Sequence, residues 1–207
     1  MDFDVDSWRE ELESYRAQKD EQFASSPQSP IAPEDRAVFR GLEYFEPAPD
    51  YRVEATVELD ESDETITMET TTDGEQLYER TARLHFELED ASGEPDEHTL
   101  VAYQRVDHDG GSLFVPFRDK TTGQQTYPGG RYMELHVEGA SRSDANSSSG
   151  EQSDPRDGEL ADGETVPLDF NLAYNPFCAY SDVFECPLPP QENWLDIAIP
   201  AGERYED

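Results

Sequence analysis

Residues 77–106 read LYERTARLHFELEDASGEPDEHTLVAYQRV, and two alternating segments in this stretch define the architecture. Apolar and polar side chains alternate on both sides of the turn-rich ASGEPDE, which is the pattern of two half-buried strands joined by a hairpin. The alternation recurs upstream, in residues 51–59 and at Ile66 and Met68, and downstream in SLFVPF at residues 112–117. Short turns such as TTDGEQ and DHDGG separate these segments. The pattern predicts an antiparallel meander.

The spacing of the strands sets the fold class. About seven to nine strands, most of them within residues 51–139, suit a β-sandwich or a partly open barrel, and the pattern does not choose between the two. No helical segments alternate with the strands, so parallel crossovers are not expected. The chain is therefore predicted to be mainly β, with a minor α component, and to form a single domain over residues 1–207.

A helical segment is predicted at the N-terminus, over residues 7–40. Its first helix places four large side chains on one face, with Ser7 and Glu10 spaced as a capping box. The four side chains are those of Trp8, Leu12, Tyr15 and Phe23. A second short helix is predicted for PEDRAVFRG at residues 33–41, which begins with a proline and ends at Gly41. The helical segment is expected to pack on the sheet.

Two segments in the C-terminal third depart from the strand pattern. Residues 141–164, SRSDANSSSGEQSDPRDGELADGE, hold almost no apolar side chains and are predicted to be a flexible, acidic, Ser-rich insertion within the domain. Residues 166–203 instead concentrate aromatic side chains, prolines and both cysteines, and they are predicted to form a long irregular segment. We call residues 166–203 the C-terminal segment, and we expect the functional centre to lie there.

The charge balance of the chain is extreme. Asp and Glu number 49 against 15 Lys and Arg, the formal net charge is −34, and Lys19 and Lys120 are the only lysines. Such a surface repels itself in dilute buffer and is screened in molar salt, so the composition predicts a halophilic protein in a high-salt cytosol. An acidic disordered chain is the alternative, but the 11% aromatic content, spread over alternating segments, favours a folded domain.

The charge and the N-terminus also exclude some partners. Nucleic acid is not an expected partner, because the sequence shows no basic patch that could neutralise phosphates. The N-terminal MDFDVDSWREELES has no cationic region and no apolar run, so we expect neither a signal peptide nor a membrane span.

Residues 117–135, FRDKTTGQQTYPGGRYMEL, concentrate positive charge in a chain that has little of it, through Arg118, Lys120 and Arg131. The segment is predicted to form two strands around a polar turn, with the second strand interrupted by the PGG at residues 128–130. Glycines within a strand mark a bulge or let a ligand approach the backbone closely. A structural bulge is the preferred interpretation.

The C-terminal segment contains no Lys or Arg, although it holds six Asp and Glu side chains. A buried carboxylate there needs a cation or amide donors from elsewhere. Arg131 and Arg118 are the candidates. Either arginine could instead hold an anionic ligand through two hydrogen bonds.

Cys178 and Cys186 are too widely spaced for a redox pair of the C-x-x-C type, and no second cysteine pair or neighbouring histidine completes a zinc site. Three interpretations stay open: packed free thiols, a loop-closing disulfide, and a metal-binding or catalytic thiol. Free thiols are the preferred interpretation, and no metal site is predicted.

Three blocks of the sequence resemble the family known as domain of unknown function 1684. They are GLEYF at residues 41–45, LFVPFRDKTTGQQTYPGGRY at residues 113–132, and LDFNLAYNPFCAYSDVFECPLPPQENWLDIAIPAGE at residues 168–203. The family patterns TYxxGRY and DFNxAYNPxCAY…CPLPPxEN fall on Thr126, Tyr127, Gly130, Arg131, Tyr132, Asp169, Asn171, Tyr174, Asn175, Cys178, Tyr180, Cys186, Glu192 and Asn193. Trp194 stands where many relatives have Arg. The resemblance implies no established activity, so it supplies a map of residues without a reaction.

These residues suit a polar pocket for a small polar or anionic molecule, with Arg131 as an anion clamp and Asp169 as its orienting partner or a base. The predicted ligand-binding residues are Arg118, Tyr127, Arg131, Tyr132, Asp169, Asn171, Tyr174, Asn175 and Asn193. Asp169, Cys178 and Glu192 are the candidates for a catalytic role, and no cofactor or reaction is assigned. The alternative function is a non-enzymatic structural or protein-interaction module, in which the C-terminal motif only pins the fold.

Overall fold

A computed structural model of the protein describes residues 3–62, 64–89, 93–106, 112–136 and 160–205. Within these residues one helix, α1 (Val5–Ser25), precedes seven strands. The strands are β1 (Arg52–Leu59), β2 (Thr65–Glu69), β3 (Glu75–Glu89), β4 (Pro95–Arg105), β5 (Ser112–Phe117), β6 (Arg131–His136) and β7 (Thr165–Asp169). Single 3₁₀ turns lie at Pro49–Tyr51, Phe170–Leu172, Phe177–Ala179 and Gln191–Asn193.

The seven strands form one antiparallel sheet that curves into a half-barrel. The strand order is β6-β5-β4-β3-β1-β7, and β2 also pairs with β3. One edge of the long β3 is shared, because residues 75–79 pair with β2 and residues 82–85 pair with β1. The register with β4 shifts between Arg80 and Ala82, and such a bulge increases local bending and twist. The predicted mainly β class is confirmed, and the architecture is a single curved sheet.

The two faces of the sheet bury different side chains. On β4, Leu100 and Ala102 belong to the main core, while Val101 and Tyr103 belong to a smaller cluster on the opposite face. The C-terminal segment covers the main core with apolar side chains such as Ile199. A large part of the core is therefore closed by irregular chain, whose backbone polar groups need partners other than strand ladders.

Helix α1 begins one turn earlier than its sequence indicates. Asp4, in an extended conformation, accepts hydrogen bonds from the backbone amides of Asp6 and Ser7 at 3.1 and 3.2 Å, so it is the N-cap. The predicted capping box of Ser7 and Glu10 is therefore wrong. The predicted apolar face is buried at three of its four positions, and the exception is Tyr15, which is 44% exposed.

The predicted second helix, at residues 33–41, is wrong. Residues 32–39 form consecutive turns in which the amides of Asp35 and Arg36 donate to the Ala32 carbonyl. Most side chains in this stretch are exposed, so no buried face compensates the cost of helix nucleation.

The glycines before β6 form a turn and no bulge. The Gly130 amide donates to the Tyr127 carbonyl at 3.0 Å, and β6 begins at the next residue, Arg131. Gly130 has a φ of 96°, and a Cβ at this position would lie 2.8 Å from the Phe117 carbonyl oxygen. The predicted bulge is therefore wrong. Glycine is required at residue 130 because the backbone there is left-handed and closely surrounded within a turn, and not because a strand residue is left unpaired.

Residues 141–159 of the predicted Ser-rich insertion lie outside the described residues. Where its C-terminal end is described, the Gly163 amide donates to the Val57 carbonyl and leads the chain into β7. In the ranges described, no helix is long and apolar enough to cross a membrane.

Candidate functional site

Arg131, the predicted anion clamp, lies inside the protein with a side chain that is 1% exposed. Its Nη2 donates to Asp119 Oδ2 at 3.2 Å and to the Ile199 carbonyl at 2.9 Å. Its Nη1 donates to the carbonyls of Ala201 and Glu203. Burial lowers the pKa of Arg131 from its ordinary value, while Asp119 and Glu203 act in the opposite direction. The guanidinium holds the C-terminal segment to β6 and presents no surface to a ligand.

Asp119 completes this internal ion pair. Its carboxylate is 0% exposed and accepts hydrogen bonds from the Ile199 amide and the Thr121 hydroxyl, both at 2.7 Å. The Thr121 hydroxyl also lies 3.0 Å from the Thr126 hydroxyl. A buried ion pair persists when further hydrogen bonds satisfy both partners, and the Arg131–Asp119 pair meets that condition except at Arg131 Nε, which has no partner.

Asp169 lies elsewhere and does not pair with Arg131 as predicted. Its carboxylate accepts a hydrogen bond from the Trp8 indole N–H at 2.7 Å and from the Asn171 backbone amide at 2.9 Å. Arg52 Nε lies 3.9 Å away, because β7 pairs with β1 and places Asp169 opposite Arg52. Asp169 therefore ties α1 and β1 to the end of β7.

The Asn193 side chain lies between β4 and β5 and hydrogen-bonds backbone groups of both strands. In the described part of the chain these strands share one registered pair, Tyr103 with Phe114. The fully buried Asn193 accepts a hydrogen bond from the Val101 amide at 2.7 Å through Oδ1. Its Nδ2 donates to the carbonyls of Val101 and Pro116 at 2.9 and 2.7 Å. Asn193 satisfies backbone groups that the ladder leaves open, which is a scaffold role.

Asn171 and Asn175 also bind backbone groups. Asn171 Oδ1 accepts from the Ala48 amide at 2.9 Å, and Asn171 Nδ2 donates to the Ala48 carbonyl at 2.8 Å. Asn175 Nδ2 donates to the Arg204 carbonyl at 2.9 Å. Both asparagines thereby fix irregular backbone that has no strand partner.

Tyr132 and Tyr174 bridge β6 and the C-terminal segment. Each backbone amide donates to the carbonyl of the other residue at 2.9 Å. The Tyr132 hydroxyl donates to the Pro187 carbonyl, and the Tyr174 hydroxyl donates to Glu134 at 2.9 Å. Burial raises the pKa of both phenols from their ordinary value. Both hydroxyls therefore act as neutral donors inside the structure.

Glu203 is a buried carboxylate that the sequence pattern did not single out. It accepts from Lys19 Nζ at 2.5 Å, from the Asn175 amide at 2.7 Å and from the Tyr180 hydroxyl at 3.0 Å. Lys19 comes from α1, so the helix supplies a cation that the C-terminal segment lacks. The sequence signal for this partner is the absence of Lys and Arg from the C-terminal segment, which requires that a buried carboxylate there take its cation from elsewhere.

Glu192, a catalytic candidate, anchors the opposite face of the sheet. It accepts from Arg80 Nε at 3.0 Å and from the Tyr103 hydroxyl at 2.7 Å. Arg80 also pairs with Glu64 at 2.7 Å. This arrangement holds the 3₁₀ turn Gln191–Asn193 against β3 and β4.

Cys178 and Cys186 are free thiols. The Cys178 amide donates to Cys186 Sγ at 3.3 Å. Hydrogen bonds to the Cys178 thiol from Cys186, Tyr127 and Thr71 lower the pKa of Cys178 to about 6, whereas the bond to Cys178 and burial raise the pKa of Cys186. A disulfide between them stays a prediction. Among the described residues, no group of three or more His, Cys, Asp or Glu side chains is placed to hold a metal ion.

A surface groove of about 480 Å³ lies where residues 118–122 meet residues 191–196. A parallel bridge between Arg118 and Trp194 forms its floor. The Arg118 amide donates to the Asn193 carbonyl at 3.0 Å, and the amide of residue 195 donates to the Arg118 carbonyl at 2.8 Å. We call this feature the Arg118 groove.

Arg118 is the unsatisfied cation of this groove. It is half-buried, and its Nε is buried without a hydrogen-bond partner. With the described residues its guanidinium makes a single contact, a cation–π contact 5.1 Å from the centre of the Trp194 ring. Trp194 is 51% exposed, and its indole N–H donates to the Pro189 carbonyl at 2.9 Å, which fixes the ring. An unpaired guanidinium beside a fixed aromatic surface suits a flat anion.

Lys120 adds a second positive charge to the Arg118 groove. Its Nζ lies 2.9 Å from Asp196, but the two side chains are 57% and 96% exposed. Such exposed pairs contribute roughly 0–1 kcal/mol, so Lys120 can exchange Asp196 for a ligand at little cost. Asp119 also lines the groove, but its carboxylate points inward to Arg131. The groove therefore offers two cations, Arg118 and Lys120, on the surface of an acidic protein.

Of the residues that form this groove, Arg118 alone was among the predicted ligand contacts. The sequence indicates Lys120 through its charge and Trp194 through its departure from the family pattern. It gives no signal for Gln191. The predicted contacts on the C-terminal segment, together with Arg131 and Tyr132, instead bond within the scaffold, while the Tyr127 ring packs against Tyr205.

The chain matches known proteins in both sequence and fold. Residues 37–204 match the family described as "Protein of unknown function (DUF1684)". An uncharacterised protein of Haloarcula marismortui, with a structure solved by solution NMR, is 48% identical to this chain. The match covers 99% of this chain and 97% of that chain, and the two structures superpose with a TM-score of 0.68. No curated protein matches the chain. Because the family match spans most of the sequence, this protein belongs to the DUF1684 family of unknown function.

Proposed function

We propose that the protein binds a small anionic molecule in the Arg118 groove, with no reaction assigned. The observation that carries this proposal is the half-buried Arg118 guanidinium, which has a buried, unpartnered Nε and no ion pair with a described residue. The buried Nε is out of reach of a ligand, but the guanidinium has no ion pair with a described residue, so its other N–H groups can bind a carboxylate or phosphate oxygen.

The groove also indicates the shape of the ligand. Arg118 and Lys120 would bind the anionic group, while the exposed Trp194 ring would contact a flat apolar part. Gln191 offers an amide that can donate or accept at the rim. We therefore expect an aromatic or heterocyclic carboxylate or phosphate rather than a sugar.

We infer in addition that the protein works in the high-salt cytosol of a halophilic archaeon. The formal net charge of −34 supports this setting, because molar salt screens repulsion that dilute buffer leaves in place. The 48% identical protein of Haloarcula marismortui supports it independently.

A structural role for the C-terminal motif is compatible with this proposal. Arg131, Asn171 and Asn193 all bind backbone carbonyls or amides of the same chain. We propose that the motif pins the fold and that ligand binding depends on the neighbouring Arg118 groove.

Native mass spectrometry tests the proposal on protein purified in molar salt and sprayed from roughly molar ammonium acetate, which keeps charges screened. The wild-type chain should retain a small anionic molecule, and Arg118→Gln should lose it. Arg40→Gln removes the same charge from an exposed arginine that contacts neighbouring carbonyls, so it should keep the adduct. An equal adduct on Arg118→Gln would reject the assignment.

A further inference from the structure

The two cysteines form a site that is independent of the Arg118 groove. Cys178 lies in the 3₁₀ turn Phe177–Ala179, and Cys186 is held on the turn that follows β2. The Thr71 amide donates to the Cys186 carbonyl at 3.0 Å, and the Cys186 amide donates to the Thr71 hydroxyl at 3.3 Å. The Cys178 amide donates to Cys186 Sγ at 3.3 Å, so bonds from both segments hold the Cys186 sulfur beside the backbone of Cys178.

Tyr127 reaches the same place from the turn before β6. Tyr127 lies near enough to Cys178 to lower the pKa of that thiol, and its ring packs edge-on against Tyr205 at 5.1 Å between centroids. The ring lies over Gly129, where a Cβ would come within 2.4 Å of a ring carbon. Glycine at residue 129 therefore permits the position from which Tyr127 stabilises a Cys178 thiolate.

The two thiols differ in access to solvent. Cys178 is partly exposed, whereas Cys186 is 7% exposed. A reagent from solution therefore meets Cys178 first, while the Cys186 sulfur lies 3.3 Å from the Cys178 amide nitrogen. This is the arrangement that a reactive thiol and a resolving thiol require.

We propose that Cys178 and Cys186 are a peroxide-reactive dithiol in which Cys178 reacts first and Cys186 resolves the product. The Cys178 thiolate attacks one oxygen of a hydroperoxide, so that an S–O bond forms, the O–O bond breaks, and the departing oxygen takes a proton and leaves as water or an alcohol. The sulfur of Cys186 then attacks the Cys178 sulfenic acid. The S–S bond forms, the S–O bond breaks, and the hydroxide leaves as water with the proton of Cys186. The hydroperoxide gains the two electrons that the thiols lose.

Hydrogen peroxide at low molar excess, added to the full chain in molar KCl, tests this sequence. The wild-type chain should lose about 2 Da and stay monomeric, as an intramolecular disulfide requires. Cys186→Ser keeps a hydroxyl donor beside Cys178 and should accumulate a dimedone-reactive sulfenic acid. Cys178→Ser should react at least about tenfold more slowly, because the remaining thiol is buried. Peptide mapping separates these products from methionine oxidation.

Tyr127→Phe keeps the ring and removes the hydroxyl, so it should slow Cys178 oxidation by roughly threefold to tenfold. The wild-type chain supplies a readout that needs no variant: limiting iodoacetamide should label Cys178 before Cys186. Equal labelling, peroxide consumption by Cys178→Ser at the wild-type rate, or a disulfide between two chains would each overturn the proposal.

Discussion

Arg131 and Asp119 stabilise the fold as a pair, since both side chains are buried and each satisfies the other. We expect Arg131→Met to lower the free energy of unfolding by about 3–5 kcal/mol, because Asp119 would stay buried without its cation. Urea unfolding in molar KCl measures this loss. The double variant Arg131→Met/Asp119→Asn should recover part of it, as coupled residues do. A loss under about 1 kcal/mol in the single variant would show that the ion pair is dispensable.

Cys178 gives a pH dependence whose sign follows from its lowered pKa. The thiolate is the nucleophile, so the rate of iodoacetamide labelling at Cys178 should rise as pH increases through about 6 and level off above pH 7. Cys186, whose pKa is raised, should stay unlabelled over this range. Peptide mass spectrometry at each pH separates the two. A labelling curve centred near about 8.5, the ordinary value for cysteine, would contradict the hydrogen-bonded thiolate.

Single residues show where sequence reasoning stops. The shortage of cations in the C-terminal segment predicted that Arg131 or Arg118 would pair with a buried carboxylate there, but Glu203 takes Lys19 instead, and Arg131 pairs with Asp119 outside the segment. The partners of Arg131 are Asp119 and backbone carbonyls, and carbonyls leave no signature in a sequence. The two arginines differ in burial: Arg131 is buried in the scaffold, and Arg118 reaches the surface groove. Arg131 is buried because the C-terminal segment folds over it, and no local sequence pattern encodes that packing.

Among the elements, the 3₁₀ turn Gln191–Asn193 holds β4 and β5 together through a side chain. We expect Asn193→Ala to speed hydrogen exchange of the Val101 amide by at least about tenfold, because that amide loses its acceptor. Stability should fall by about 2–3 kcal/mol, since the carbonyls of Val101 and Pro116 also lose donors.

Asn193→Asp is the matched control for this prediction. It keeps an acceptor for the Val101 amide but buries an unpaired carboxylate against both carbonyls, so stability should fall further than in Asn193→Ala, while exchange of the Val101 amide through local opening should stay slower. Equal exchange in all three proteins would show that the strands pair without Asn193.

Elements with a strong period were predictable, and turns were not. The alternation in residues 77–106 predicted β3 and β4, because a sheet with two faces sorts its side chains with a period of two. The start of α1 was missed by one turn, since Asp4 and Ser7 are both good caps and position alone does not choose between them. The stretch PEDRAVFRG has helix-like ends but buries too little to become a helix.

For the whole molecule, the net charge of −34 predicts stability that rises with salt. Between about 0.1 and 1 M KCl the Debye length falls from ~10 Å to ~3 Å, so repulsion between surface carboxylates is largely removed. We expect the thermal midpoint to rise by roughly 10 °C, which corresponds to a few kcal/mol. Near pH 4, where part of the carboxylates are protonated, the same salt step should have a smaller effect. A midpoint that is independent of salt at pH 7 would contradict the role assigned to the surface charge.

The proposal for the Arg118 groove is best tested by NMR titration of the two tryptophan indole signals with benzoate and with inorganic phosphate in molar KCl. Trp194 lies in the groove, while Trp8 is buried against Asp169 and reports on the rest of the fold. The Trp194 signal should shift saturably while the Trp8 signal stays in place, and Arg118→Gln should abolish the shift. Parallel shifts of both signals, shifts without saturation, or an unchanged titration in Arg118→Gln would contradict anion binding at this groove.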